Sequence, residues 1–384
     1  MPFASALSEH PDAATAVGEV AGRVIEQLGE APDVALLFVT TSHETQLNQI
    51  AAAVRRIVDP AVLAGCVTGS VLGTEREVED RPAISLWAGV TGPARGTVLR
   101  ASPSGEGEAS LAGWLTDDEL GFGPSGVIVL ADPYSFPAPA FLGFVDDDRP
   151  GLPVIGGFAS SPRPTLVLDE QFVTDGAVAV FLGPDVAVET VVSQGCRPIG
   201  EPWAVTAAEG NLVRELGGRP PLERLSHLAS DALSEEEIAL VNRGALHVGR
   251  VIDERKATFG RGDFLVRNIV GGDRITGALA VADDIEVGTT LQFHLRDPAS
   301  ATDDLHTLLR GRRADSALVF TCNGRGLHTF GVADHDASVV SAELGAVPVA
   351  GMFAAGEFGP VGGRNFLHGF TASIALISDR TAPG

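Results

Sequence analysis

The sequence predicts a mixed α/β (α+β) protein, made of repeated helix-strand-helix-strand-strand units that form layered sheets, with an antiparallel β-rich insert. Three observations predict it. Short, wholly apolar runs alternate with amphipathic stripes, the pattern of strands covered on both faces and of the helices that cover them. One order of elements returns three times, each time with a second strand that enters a Gly-rich turn. Between the second and third occurrences, strands follow one another across glycine turns without a helical stripe.

In the first unit, Asp12 precedes Val17, Val20, Val24, Ile25 and Leu28, spaced as one face of a capped helix. VALLFVT at 34–40 is a continuous apolar strand, and 44–58 carries a second helical stripe through Leu47, Ile50, Ala51, Val54, Ile57 and Val58. A strand at 61–73 (AVLAGCVTGSVLG) runs into glycines, and 83–90 closes the unit. The second unit reads as helix 110–120, strand 127–131, helix 140–145, strand and glycine turn 152–161, and closing strand 177–182. The third reads as helix 302–309, strand 317–321, helix 336–344, strand and turn 347–356, and closing strand 371–377. Gly65, Gly156 and Gly351 follow Phe38, Leu130 and Phe320 at 27, 26 and 31 residues, so the units read as duplicates. Segments 186–207 and 263–295 read as antiparallel β structure, and the Pro-rich, charged stretch 217–237 as a boundary.

Composition narrows the chemistry. With 45% hydrophobic and 20% charged residues the chain has the balance of a globular protein, and no stretch reaches the roughly 18 apolar residues that a bilayer span requires. The start MPFASALSEHPD has no basic region ahead of an apolar core, so no signal peptide is expected and the cytoplasm is the expected compartment. Cys66, Cys196 and Cys322 are odd in number and far apart, which supports neither a disulfide framework nor a zinc knuckle. A net charge of −23 repels phosphate backbones, so nucleic acid is not an expected partner. Lys256 is the only lysine, and no G-K-[ST] occurs, which argues against phosphate loops and Schiff-base cofactors; no cofactor and no metal are expected.

GFGPSG at 121–126 spells G-x-G-x-x-G but precedes a strand, whereas a dinucleotide loop must follow one. The densest polar cluster is TCNGRGLH at 321–328, directly after an apolar strand, where ligands of α/β sheets usually sit. Arg325 could hold an anion, Asn323 offers a donor and an acceptor, and Gly326 lets a ligand approach the backbone; a tight turn with a solvated Arg explains the same residues. GEFGPVGG at 356–363 sets Glu357 behind Gly356, either to receive an amine or pair with Arg325, or to cap turn amides. In the first unit the matching positions are Thr68 and Ser70, with Cys66 beside them. Cys322 could be a nucleophile with His328 or His368 as base, although a small buried thiol is the commoner role.

With those residues in view, the chain resembles the FIST family, the paired FIST-N and FIST-C domains of bacterial signal-transduction proteins and of one eukaryotic F-box protein. The likeness rests on LLFVT at 36–40, GCVTGS at 65–70, AISLWAG at 83–89 and SQGCRPIGEPWAVT at 193–206. It continues through FLVRNIVGGD at 264–273, FHLRD at 293–297, CNGRG at 322–326, PVAGMFAAGEFGP at 348–360 and LHGFTASIALI at 367–377. The resemblance implies an N-terminal domain over 1–225, a C-terminal domain over 226–384, and a bacterial sensor of small ligands such as amino acids, and it supplies no catalytic residue set. The expected partners are a small-molecule ligand and a separate signalling protein, with no nucleic acid or membrane; self-association is left open. Two other readings stand beside it: an enzyme using Cys322, and a protein-interaction adaptor.

Overall fold

A computed structural model describes residues 2–103 and 109–380. The chain forms two compact units, one of residues 1–192 with 305–384 and one of residues 193–304. The sequence boundary at 225 falls inside the helix Pro221–Asp231 of the second unit.

The larger unit contains all three repeats, and the strand pairing bears out their equivalence. In each, the first strand runs parallel to the second across a helical crossover and antiparallel to the closing strand. Val34–Thr40 pairs with Val62–Thr68 and Ile84–Gly89, Gly126–Ala131 with Val154–Ala159 and Ala177–Leu182, and Ser316–Cys322 with Val349–Val361 and Thr371–Asp379. The glycines that read as turns lie within the second strands, opposite Leu37, Val129 and Val319. A Cβ at Gly65, Gly156 or Gly351 would stand 2.2, 1.9 or 1.8 Å from the carbonyl oxygen of that partner. The residue is glycine because the neighbouring backbone comes too close for any side chain, and the same approach occurs at one place in every repeat.

The core strands of repeat one form a six-stranded sheet completed by Phe3–Ser8 and by the hairpin Leu166–Leu168 and Gln171–Val173 from the span of repeat two, while the core strands of repeats two and three share a larger sheet, joined by the antiparallel pair Val154–Ala159 and Val349–Val361. Apolar side chains of both sheets pack face to face, Phe38 edge-on to Phe320 with centroids 6.1 Å apart. Helices cover the outer faces. Ala13–Leu28, capped by the Asp12 carboxylate on the Thr15 amide, and Leu47–Val58 bury Val17, Val20, Val24, Ile50 and Val54 on the smaller sheet. Helices Ala138–Asp148, Pro298–Leu309 and His335–Leu344 cover the other. The three repeats meet where the Thr68 hydroxyl contacts Ser160 Oγ at 2.9 Å and both donate to the carbonyl of Phe353.

Several expected elements differ. Residues 110–120 form no single helix: a strand ends at Ala112, and a short helix, Asp117–Leu120, is closed by a Thr116/Glu119 capping box. The stretch GEFGPV is strand, because Val349–Val361 continues through it to pair with Arg364–His368. Additional elements include the edge strand Phe3–Ser8, the strand Ala94–Pro103, the hairpin of Leu166–Leu168 and Gln171–Val173, and a hairpin of Ser70–Gly73 and Arg76–Glu79 that pairs with Val349–Val361. The second unit is a closed six-stranded antiparallel barrel with an apolar interior including Val213, Val248, Leu279, Leu291 and Phe293. Among the described residues no helix is long and apolar enough to cross a membrane.

Candidate functional site

Strand Ser316–Cys322 ends in the loop Asn323–Gly326, and what folds onto that loop defines the site. Arg325 turns inward and is 3% exposed. Its Nε and Nη2 donate to the two oxygens of Asp336 at 2.8 and 2.7 Å, and Asp336, one residue into helix His335–Leu344, also accepts from Thr321 at 2.5 Å and His335 at 2.8 Å. Phe330 stacks on the His335 ring with centroids 3.4 Å apart and lies 5.0 Å from the guanidinium carbon. Burial opposes charge on Asp336, but the Arg325 charge and its hydrogen bonds win and hold the carboxyl below the usual carboxylate range. The pair is therefore ionised and internally neutral.

Carboxylates of the additional hairpin hold this arrangement from the other side. Glu79 accepts the Leu327 amide at 2.8 Å, Glu77 accepts the Ala337 amide at 2.9 Å, and Glu75 accepts the Ser341 hydroxyl at 3.1 Å. Acceptors on the first amides of a helix satisfy donors that have no intrahelical partner. Gly326 has a φ of 94°, a backbone conformation that favours glycine. Burial, then the nearby Asp336 charge, pushes the Glu77 carboxyl up to about 8.

Glu357 is fully buried on strand Val349–Val361. Its Oε2 accepts from the Thr371 hydroxyl at 2.7 Å and the Thr371 amide at 3.2 Å. Burial pushes this carboxyl up to about 8 against the pull of Thr371, of the Cys322 thiol and of Arg325. Cys322, 7% exposed, stands within the influence of both Arg325 and Glu357, with the Gly324 amide 3.4 Å from Sγ. Burial and the Glu357 charge push its thiol above the ordinary range, so thiolate is scarce at neutral pH. Three buried polar atoms here have no hydrogen-bond partner among the described residues: Arg325 Nη1, Glu357 Oε1 and Glu77 Oε2. Such atoms are rare in folded proteins and call for a partner.

Of the residues singled out in the sequence, the fold brings together Cys322, Arg325, Gly326 and Glu357, with Asn323 exposed at the rim and Gly356 packed against Phe158 and Leu367. Arg325 and Glu357 do not form the direct ion pair entertained for them; Asp336 takes that place. The first-unit residues serve other contacts. Cys66 lies in the core 3.3 Å from Met352 Sδ, Thr68 is engaged by Ser160 and Phe353, and Ser70 Oγ accepts the Asp80 amide. His368, considered as a base, contacts the Gly359 carbonyl through Nε2 at 2.9 Å. Sequence reasoning missed Asp336, Thr371 and the roles of Glu77 and Glu79; the signal for Asp336 was an acid in the first turn of a helix that follows a buried loop. Of GFGPSG, Phe122, Gly123, Pro124 and Ser125 line a cavity of about 500 Å³ with Arg149 and Leu152, at the amino-terminal ends of strands Gly126–Ala131 and Val154–Ala159.

The family model described as the FIST N domain matches residues 33–219, and that described as the FIST C domain matches residues 221–360. The uncharacterized protein Mb0898c of Mycobacterium bovis is 43% identical over 380 residues, covering 96% of this chain and 97% of its own length. The uncharacterized protein Rv0628c of Mycobacterium tuberculosis is 42% identical over 384 residues, covering 97% and 98%.

Proposed function

The chain belongs to the FIST family, whose domains are associated with sensing and signal transduction, and from that premise we propose that it binds a small polar metabolite at the Arg325–Glu357 cluster and reports the bound state to a separate protein. The observation that carries this reading is the pair of buried, unpartnered polar atoms, Arg325 Nη1 and Glu357 Oε1, beside one thiol at the end of a sheet strand. A fold does not leave a guanidinium and a carboxyl in that condition without loss of stability, typically about 1–3 kcal/mol for each unsatisfied group. Selection for a ligand gives the loss a reason. The loop around Arg325 is partly open to solvent: Asn323, Leu327 and His328 are exposed, and glycines at 324, 326 and 331 punctuate the segment.

The test is a thermal-shift panel of amino acids, keto acids and other small polar metabolites on the full chain, repeated with Asn323→Ala and Glu357→Ala. At least one compound should raise the melting temperature, and both substitutions should weaken its effect. A panel with no hit, or a hit indifferent to both, refutes the reading.

A further inference from the structure

We infer that the ligand of this cluster is a small oxyanion of the carboxylate class, gripped between the Arg325 guanidinium and the carboxyl of Glu357. The inference rests on the sensor reading and specifies the chemistry that reading leaves open.

Arg325 is bound to Asp336 through Nε and Nη2, and only Nη1 remains, a donor without acceptor capacity. Glu357 accepts the Thr371 hydroxyl and amide on Oε2, so when the carboxyl carries a proton, Oε1, the oxygen without a partner among the described residues, is where it resides. Burial pushes its titration up to about 8, which favours the protonated form near neutrality. The cluster therefore presents Nη1–H and Oε1–H, with the Arg325 charge held by Asp336. A carboxylate, which accepts on both oxygens, complements that set; an ammonium group finds no acceptor in it, and a primary amide brings donors of its own.

A dependence on pH follows. The groups facing Glu357 are Cys322 and Arg325 from the strand and loop, Thr371 from the closing strand, and His368, its cross-strand partner, bonded to the Gly359 carbonyl; Asp336 and Glu77 stand behind Arg325. When Glu357 ionises it repels a bound anion and removes a donor. With one titration near 8 and binding confined to the protonated form, apparent affinity falls about 30-fold between about pH 6.5 and pH 9.5.

Acetate and formate are the probes, with acetamide and methylammonium as neutral and cationic controls, on the full chain, followed by melting temperature and by the carbon NMR signal of labelled acetate. Acetate should bind, the controls should not, and affinity should fall with pH as stated. Glu357→Gln, which keeps a neutral donor of the same shape, should retain acetate within a few-fold and flatten the pH profile. Equal binding of acetamide, loss of acetate with a folded Glu357→Gln protein, or an affinity indifferent to pH overturns the inference. Silence from acetate and formate, the outcome if water alone bridges the two side chains, overturns it as well. If a panel metabolite still binds in any of these cases, the sensor reading survives and only its ligand chemistry falls. Should Glu357→Gln fail to fold, the pH profile of the unsubstituted chain decides alone.

Discussion

Replacing Asp336 with Asn separates the structural duty of Arg325 from its proposed duty toward a ligand. The carboxylate takes two hydrogen bonds from the guanidinium, one from Thr321 and one from His335, at 1% exposure. The amide is isosteric but neutral, so the substitution leaves a cation in the interior without a counter-charge. Removing one member of a buried ion pair costs about 3–5 kcal/mol, against a total stability for such proteins of about 5–15 kcal/mol. Urea unfolding followed by Trp87 and Trp114, both in the larger unit, should show that loss. A double-mutant cycle with Arg325→Met should recover a coupling of about 2–3 kcal/mol, because the double variant no longer buries a lone charge. The acid limb should change too. The Asp336 carboxyl titrates below its ordinary value in the folded chain, so its contribution is complete above about pH 4 and is lost as pH falls below that. Asp336→Asn should flatten this limb. A loss under about 1 kcal/mol, or additive effects of the two substitutions, would mean that the pair does not hold the loop as described.

Three further predictions concern the frame and its titration. Gly351→Ala places a Cβ 1.8 Å from the Val319 carbonyl oxygen and should destabilise by about 3 kcal/mol or more, with similar losses at Gly65 and Gly156; a change within about 0.5 kcal/mol at any of the three in urea unfolding removes the basis for their equivalence. Ser160→Ala should cost about 1–3 kcal/mol, since it strips a donor from the Phe353 carbonyl and an acceptor from the Gly69 amide, and an unchanged urea midpoint counts against that junction. In the barrel, burial lowers His247 and His294 to about 4, so their neutral forms support the fold above about pH 6.5 and that support is lost as pH falls toward 4, by up to about 7 kcal/mol for the two; Trp203 should report acid loosening there, and a flat signal refutes it.

What could be read from the sequence is what depends on local pattern. VALLFVT and the matching runs at 127–131 and 317–321 are strands because nothing but apolar side chains fits between a sheet and its cover. The repeated glycines marked the right positions for a reason other than the one local signals suggest: glycine after an apolar run reads as a turn, and the close approach that requires it exists only once the partner strand is present. The same ambiguity hid Glu357, whose surrounding glycines imitate a loop inside a strand of 13 residues. The hairpin at 70–79 escaped notice because Arg76, Glu77 and Glu79 make a charged strand, and its pairing partner lies about 280 residues away in sequence. Phe3–Ser8 is not legible as a strand because the small residues of FASALS give little alternation. Within the candidate site, the loop after Cys322 was visible as a dense polar cluster, but the Arg325–Asp336 pair was not, since composition favours solvent for an Arg between two glycines and only tertiary packing buries it.

The most direct measurement is a crystal structure of the full chain grown with the tightest-binding carboxylate of the metabolite panel. The account predicts one carboxylate oxygen within hydrogen-bond distance of Arg325 Nη1 and the other at Glu357 Oε1, with Asp336 still paired to Arg325. Ligand density elsewhere, such as the cavity beside Arg149 and Leu152, with Arg325 and Glu357 untouched, would contradict it.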